Sequence, residues 1–282
     1  MKAQKRIFIS IIIITFVLAM AVAAVCERAA WVCPECGRAG NTGKFCGGCG
    51  YPAPEISTAD GANIKEKTIV VGDIITFGRY EQDNNLENGP EKIEWIVLDY
   101  DETGNKALLL SRYGLDSILY NTANTSVTWE KSAIRKWLNE DFFNSAFNQK
   151  EQTALLMTEV DNNANQGYGK WETYGGNHTQ DRVFLLSYTE ANRYLDVTND
   201  DRNNQKSRVA PTAYAIAHGA LTGSYQTEDG AASGWWWLRS PGFVQSDAAD
   251  VYRDGSLYSS RVDTDRGVVR PALWINFESD IF

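Results

Sequence analysis

Cysteine and histidine are scarce in this chain, and their scarcity excludes several kinds of chemistry. All five cysteines lie within the first 49 residues, so the other 233 residues (282 − 49) can form no disulfide bond and supply no catalytic thiol. Only two histidines occur, His178 and His218, which leaves few options for a histidine-ligated metal or a histidine base. The larger part of the protein must therefore fold without disulfides and act through other side chains.

Positive charge is also in short supply. Lys and Arg number 27 against 36 Asp and Glu, which gives a formal net charge of -9. Affinity for nucleic acid depends on cationic side chains that replace phosphate counterions, so we expect no nucleic-acid partner. Apolar residues make up 43% of the chain, which is enough to build a packed core and excludes a wholly disordered protein.

The amino-terminal segment has the pattern of an export signal. Met1–Arg6 contain three cations, and Ile7–Val25 follow without a single charge. A cationic start and an apolar run are typical of a signal peptide or an N-terminal membrane anchor, and Ala21 and Ala23 are the small residues that a signal peptidase requires. We expect either a secreted protein or one held in the cell membrane by an uncleaved transmembrane helix. With both outcomes the bulk of the chain lies outside the cytoplasm.

Two C-x-x-C-G turns form a cysteine module. Cys33 and Cys36 belong to the first turn, and Cys46 and Cys49 belong to the second. Four converging thiolates bind a tetrahedral zinc ion, and so short a segment needs the metal in order to fold. We predict a zinc ribbon with a structural Zn²⁺, because four protein ligands leave no open position for a substrate water. A pair of disulfides, which an oxidising exterior favours, is the alternative, and Cys26 has no assigned role.

These patterns divide the chain into four segments. A signal peptide or transmembrane anchor covers residues 1–25, a zinc ribbon covers 31–50, a linker covers 51–67, and one globular domain covers 68–277. The linker contains two prolines and lacks apolar periodicity. In the globular domain strands and helices do not alternate regularly, so its predicted fold class is α+β rather than a doubly wound parallel sheet.

Local patterns predict several elements of the globular domain. Apolar residues indicate strands near Ile74–Phe77, at Ile93–Leu98 and at Ala107–Leu110. An amphipathic pattern predicts a helix over Ser126–Leu138, with Thr128 as its N-cap. Two further predictions are a buried strand at Val183–Leu186 and a capping box that runs from Ser187 to Glu190.

Two motifs in the last third carry a family resemblance. Residues 234–242 read GWWWLRSPG and residues 267–276 read GVVRPALWIN. With the stretches before them they resemble a bacterial family that carries a domain of unknown function, often behind a signal sequence and a zinc ribbon. The two signature strands are similar to the core of C-type-lectin-like domains of the formylglycine-generating-enzyme subtype. That resemblance implies a scaffold with variable binding loops and no activity, since the thiols used by formylglycine-generating enzymes are missing here.

The signature motifs themselves are interpreted mainly as structure. The aromatic area of Trp235–Trp237 favours burial in the core over the stacking of a sugar or a peptide. Arg239 and Arg270 lie beside prolines, and we expect them to form ion pairs or to cap carbonyl groups rather than to clamp a ligand.

A binding face is predicted on loops where aromatic side chains alternate with amide and charged groups. The candidate ligand-binding residues are Trp171, Tyr174, Asn177, Asp254, Tyr258 and Arg261. No nucleophile elbow, phosphate loop or H-E-x-x-H motif is found, so no catalytic residue is assigned.

The sequence therefore predicts an exported, non-catalytic binding or interaction protein of the bacterial cell envelope. Its expected partner is a glycan, a peptide or a protein on the cell exterior. The alternative is an extracytoplasmic hydrolase that uses loop carboxylates such as Asp181 or Asp254. A third interpretation makes the zinc ribbon an interaction module within an envelope assembly.

Overall fold

The computed structural model describes residues 33, 35, 38–41, 45–49, 69–162 and 173–277. The chain divides into two compact units, Met1–Glu66 and Lys67–Phe282. The signal or anchor segment 1–25, the linker 51–67, Cys36 and Trp171 fall outside the described residues. Within the described part of the chain, no helix has both the length and the apolar character that a membrane crossing requires.

The described part of the large unit is a mixture of antiparallel strands and short helices, which confirms a mixed α and β fold. Its strands are β1 (Ile74–Tyr80), β2 (Glu91–Asp101), β3 (Lys106–Ser111), β4 (Thr158–Val160), β5 (Thr179–Asp181), β6 (Thr222–Gln226), β7 (Ala232–Gly234), β8 (Trp236–Pro241), β9 (Asp247–Val251), β10 (Leu257–Arg261) and β11 (Ala272–Asn276). Its α-helices are α1 (Ala133–Trp137), α2 (Phe143–Ala146), α3 (Gln149–Ala154), α4 (Tyr188–Leu195) and α5 (Ala213–Ala217). A π-helical turn, Leu138–Phe142, joins α1 to α2, and 3₁₀ turns form at Trp129–Lys131 and Gln205–Ser207.

Two antiparallel sheets organise the large unit. The first has the order β1-β2-β3-β11, so the last strand of the chain pairs with β3 rather than with its neighbours in sequence. The second has the order β10-β9-β8, and β4-β5 and β6-β7 are two-stranded ribbons. The three strands predicted near residues 74–77, 93–98 and 107–110 are confirmed as β1, β2 and β3. In β1 and β2 most of the buried apolar residues alternate along the strand, whereas five of the six residues of β3 are buried.

A β-bulge in β1 depends on glycine. The pairing of β1 with β2 shifts register between Thr76 and Arg79, and Gly78 lies in that interval with φ of +68°. A Cβ atom at Gly78 would lie 2.6 Å from the Phe147 ring. Both the left-handed backbone and the close approach of the ring therefore require glycine at this position.

The N-termini of the helices test the predicted capping residues. The capping box predicted from Ser187 to Glu190 is confirmed at the start of α4. The prediction of Thr128 as a cap is wrong, because a separate 3₁₀ turn follows it and its side chain makes no cap hydrogen bond. Ser132 caps α1 instead, where its hydroxyl accepts from the Arg135 N–H at 3.3 Å.

The tryptophan triplet belongs to the core. Trp235 is 7% exposed, while Trp236 and Trp237 are fully buried, so the interpretation of these rings as core is confirmed and none is available for stacking on a ligand. The Trp235 and Trp237 rings pack edge to face with centroids 4.7 Å apart, as expected for alternate residues on one face. Residues 183–186 are buried as predicted, but they form only an isolated bridge from Phe184 to Ala272 rather than a strand.

Candidate functional site

Three cysteines of the small unit converge. The Sγ atoms of Cys33, Cys46 and Cys49 all lie within 4.8 Å of one another, close enough to hold one metal ion. Cys33 and Cys46 are buried, whereas Cys49 is exposed. The fourth predicted ligand, Cys36, lies outside the described residues.

The spacing of the sulfur atoms suits a metal centre. The Sγ atoms of Cys33 and Cys49 lie 3.6 Å apart, which is too long for a disulfide bond. Two thiolates on a tetrahedral zinc ion, with Zn–S bonds of about 2.3 Å, lie about 3.8 Å apart. The Gly48 N–H also points at Cys46 Sγ at 3.4 Å, a contact that stabilises a thiolate. The donor set therefore fits a soft cation such as zinc.

The predicted loop face is split between two places. Tyr174 and Arg261 lie near the loop 242–247, since Gln245 donates to the Tyr174 carbonyl at 2.9 Å and Arg261 pairs in register with Asp247. Tyr258 and Asp254 lie toward the opposite end, at the turn that joins β9 to β10. The structure thus does not gather these residues around one point.

Their side chains also differ in availability. Tyr174 and Tyr258 are more than half exposed. Asn177 donates to Glu130 at 3.1 Å, and Arg261 forms a two-pronged pair with Asp263.

The two acids named for a hydrolase have structural partners. Asp254 is only 5% exposed, and its carboxylate accepts from the N–H and the hydroxyl of Ser256 within the β9–β10 turn. Asp181 is 1% exposed and accepts from Trp129, Thr179 and Arg135. These contacts explain both carboxylates as elements of the fold, and neither residue lines the cavity described below.

His218 forms part of a partly buried polar cluster around the buried Asp116. Its Nδ1 atom lies 2.7 Å from Asp116, which also accepts a hydrogen bond from the Tyr80 hydroxyl at 2.6 Å. Burial, together with the Asp116 carboxylate, raises the pKa of Tyr80 far above its ordinary value, so this tyrosine stays protonated and donates. The cluster joins α5 to β1, and none of its three members lines the cavity.

A cavity of about 440 Å³ opens beside the first sheet. Its walls come from the start of β1, the middle of β2, the end of α4, the segment 205–210 and the β6–β7 turn. Much of the lining is aliphatic or aromatic, namely Val71, Ile74, Ile96, Val97, Leu98, Tyr113, Tyr194, Leu195, Val209 and Ala210. This size and this apolar lining are those of a small-molecule site.

Arg270 is the unusual residue in this wall. The side chain is only 2% exposed, and its single hydrogen bond runs from Nε to the Ser111 carbonyl at 2.9 Å. The guanidinium lies over the Trp236 ring at 5.1 Å, while its buried Nη1 has no hydrogen-bond partner. Burial lowers the pKa of Arg270 to about 9, so the group remains charged at neutral pH. The prediction that Arg270 caps a carbonyl group is confirmed, but only its Nε atom makes this contact.

Arg239, from the other signature motif, is fully engaged. It forms an ion pair with Glu190 and donates to the carbonyls of Leu185 and Asp161. The structural role predicted for this residue is therefore confirmed. Arg239 and Arg270 are both buried, but within the described residues only Arg239 has an acidic partner. Arg270 is therefore a buried cation without an ion pair there.

Sequence reasoning did not identify the cavity. Its walls come from segments as far apart as residues 71 and 270, and no local pattern links them. The available signal was the arginine in GVVRPALWIN, which has apolar residues before and after it and no acid within the motif. Such a placement is costly for a charge and is therefore informative.

The family model of the Domain of unknown function (DUF6273) matches residues 104–277, more than half of the chain. The protein belongs to this family. The resemblance to a domain of unknown function is thus confirmed. Comparison with curated proteins and with solved structures gives no significant match. The DUF6273 match includes Arg270, Arg208 and the β6–β7 turn, whereas the β1 and β2 walls of the cavity precede it.

Proposed function

We propose that this DUF6273 protein is an exported, non-catalytic binding protein of the bacterial cell envelope. Its large domain recognises a glycan, a peptide or a protein, and the recognised group enters the cavity beside the first sheet. The observation that supports this proposal is a preformed cavity of about 440 Å³ with apolar walls and a few convergent polar groups. The engagement of Asp181 and Asp254 in structural contacts favours binding over the hydrolase alternative.

Two finer features belong to the same proposal. The large domain is a C-type-lectin-like scaffold, supported by its short helices, its antiparallel sheets and the pairing of the signature strand β11 inside the first sheet. The small unit is a zinc ribbon in which Cys33, Cys46 and Cys49 hold a structural Zn²⁺ with Cys36 as the fourth ligand, supported by the convergence of the three described thiols.

A cavity-filling variant tests the binding proposal. Ile74 lines the cavity and is 47% exposed, so Ile74→Trp adds bulk at the mouth without a large change in the core. The control is Val70→Trp, at an exposed position outside the lining. The purified full chain is applied to glycan and peptide arrays, and we expect Ile74→Trp to lose at least tenfold in affinity for each hit while Val70→Trp keeps it. Hits that are insensitive to Ile74→Trp would contradict binding at the cavity.

A further inference from the structure

One cation of the cavity wall has no counter-ion within the part of the chain that the structure describes. Arg270 is fully buried, and the described part of the chain provides it with no carboxylate within ion-pair distance and leaves Nη1 unpaired. Burial of a charge without a partner is strongly unfavourable, and natural proteins rarely retain it without a compensating contact. Because Arg270 lines the cavity, an anion bound there would lie beside this unbalanced positive charge.

A second arginine in the cavity wall supports the inference that an anion binds there. Arg208 is 7% exposed, lines the same cavity, and has a buried Nε without a hydrogen-bond partner. Its other nitrogens donate to the Gln226 carbonyl and to the Asn203 side chain, and its guanidinium lies over the Tyr225 ring. These contacts fix the side chain, so its charge is pre-organised rather than mobile.

The remaining charges of the wall are largely balanced. Arg112 pairs with Glu94 at 2.7 Å and with Asp229 at 3.6 Å. Lys206 also lines the cavity, and it pairs at 2.9 Å with Asp196, which does not. Glu228 is the other acid of the wall, beside Asp229 in the β6–β7 turn. Arg208 and Arg270 are therefore the two cations of the wall that form no ion pair within the described residues, and Glu228 is the one acid of the wall left to offset them.

The apolar lining limits what kind of anion suits the site. Inorganic phosphate would leave Ile74, Ile96, Leu98 and Val209 without contact, whereas a compact organic acid would cover them. An arginine presents a planar fork of donors that matches the two oxygens of a carboxylate. A singly charged carboxylate on an apolar body therefore fits both the charge and the surface.

We propose that the cavity is a carboxylate-binding site, in which Arg270 and Arg208 receive the carboxylate of a small organic acid and the aliphatic wall packs against its apolar body. This inference rests on the proposed binding function and specifies its ligand class. Arg270 supplies its guanidinium charge from the wall formed by the first sheet, and Arg208 adds charge from the segment 205–210.

Benzoate is the test probe, with benzamide as its neutral counterpart. The full chain is titrated at pH 7 and constant ionic strength, and binding is measured by calorimetry and by the shift in melting temperature. We expect saturable benzoate binding, with benzamide and phosphate at least tenfold weaker. Arg270→Met should weaken benzoate at least tenfold and Arg270→Lys should weaken it less, because lysine keeps the charge and loses the fork. Arg266→Met, at an exposed ion pair with Asp265 outside the cavity lining, is the control and should change nothing.

The outcomes separate this inference from the binding proposal. If benzamide binds as tightly as benzoate, or if Arg270→Met leaves benzoate affinity unchanged, the carboxylate site is refuted while cavity binding stands. If phosphate binds as tightly as benzoate, the arginines attract anions generally and the organic-acid class is refuted. If neither probe binds and the array hits are insensitive to Ile74→Trp, both proposals fail. Should Arg270→Met not fold, the contrast of benzoate with benzamide on the native chain, together with Arg270→Lys, still decides the question.

Discussion

The buried carboxyl group of Asp250 should make the large unit lose stability as the pH rises. Asp250 lies in β9 between Trp237 of β8 and Tyr258 of β10, with no exposed surface. Neither carboxyl oxygen has a partner with good hydrogen-bond geometry among the described residues. Burial raises the pKa of Asp250 to about 8, and repulsion from Asp247 adds to the rise, while the nearby Ser260 hydroxyl opposes it in part.

The sign follows from proton linkage. The folded protein keeps the proton on Asp250 up to a pKa of about 8, whereas the unfolded chain releases it near the ordinary value of 3.8. Unfolding therefore releases a proton between these values, and the free energy of unfolding falls as the pH rises through this window. At 1.36 kcal/mol per pH unit, about 4 kcal/mol is lost between pH 4 and pH 7.

Asp250→Asn tests this reasoning, because an amide of the same shape cannot titrate. Urea unfolding followed by tryptophan fluorescence should show that the stability gap between the variant and the native chain shifts by about 4 kcal/mol in favour of the variant from pH 4 to pH 7. Only the change in the gap matters, since the buried amide has a pH-independent cost of its own. Asp200→Asn, at an exposed position, is the control and should show no such change. A gap that stays constant, or that favours the variant at acid pH, would refute a raised pKa at Asp250.

Three further changes test other parts of the fold. Gly78→Ala should destabilise the large unit by about 1–3 kcal/mol, measured by urea unfolding, because its Cβ would meet Phe147 at a left-handed backbone position. Arg239→Met should cost about 3–5 kcal/mol by the same assay, since it leaves Glu190 without its ion-pair partner in a partly buried site. Cys46→Ser should lower the zinc content found by native mass spectrometry from one ion toward zero, and an unchanged metal content would exclude this thiol as a ligand.

Local signals predicted elements well where a single segment determines the outcome. The strands β1 to β3 and the capping box of Ser187 and Glu190 depend on alternation and on a four-residue contact, so they are visible in sequence. Thr128 and Ser132 are both suitable caps, and only the 3₁₀ turn between them decides for Ser132. The apolar run 183–186 was correctly predicted to be buried but wrongly predicted to be a strand. An apolar run indicates burial, and it does not show whether a neighbouring strand is available for pairing.

The candidate site depended on tertiary information that no segment contains. Aspartate is a residue type that usually lies at the surface, and nothing in the segment around Asp250 indicates otherwise. Asp250 is nevertheless fully buried, in the central strand β9 of the second sheet. The sequence indicates that Asp254 is an acid in a loop. The structure buries it, because the neighbouring Gly255 packs closely against residues 204–207. Each position is determined by what covers it, which sequence spacing does not specify.

Asp250 and Arg270 are both fully buried ionisable groups without a partner of opposite charge, yet they solve the problem differently. Asp250 stays neutral by keeping its proton up to a pKa of about 8, which costs the fold about 4 kcal/mol at pH 7 but leaves no charge for a ligand to balance. Arg270 has no such recourse at neutral pH, because even a pKa of about 9 leaves it charged. Its charge must be balanced from outside the described chain or tolerated at a cost of several kcal/mol. Since Arg270 also reaches the wall of a cavity and Asp250 does not, a ligand anion is the compensation that the structure makes available.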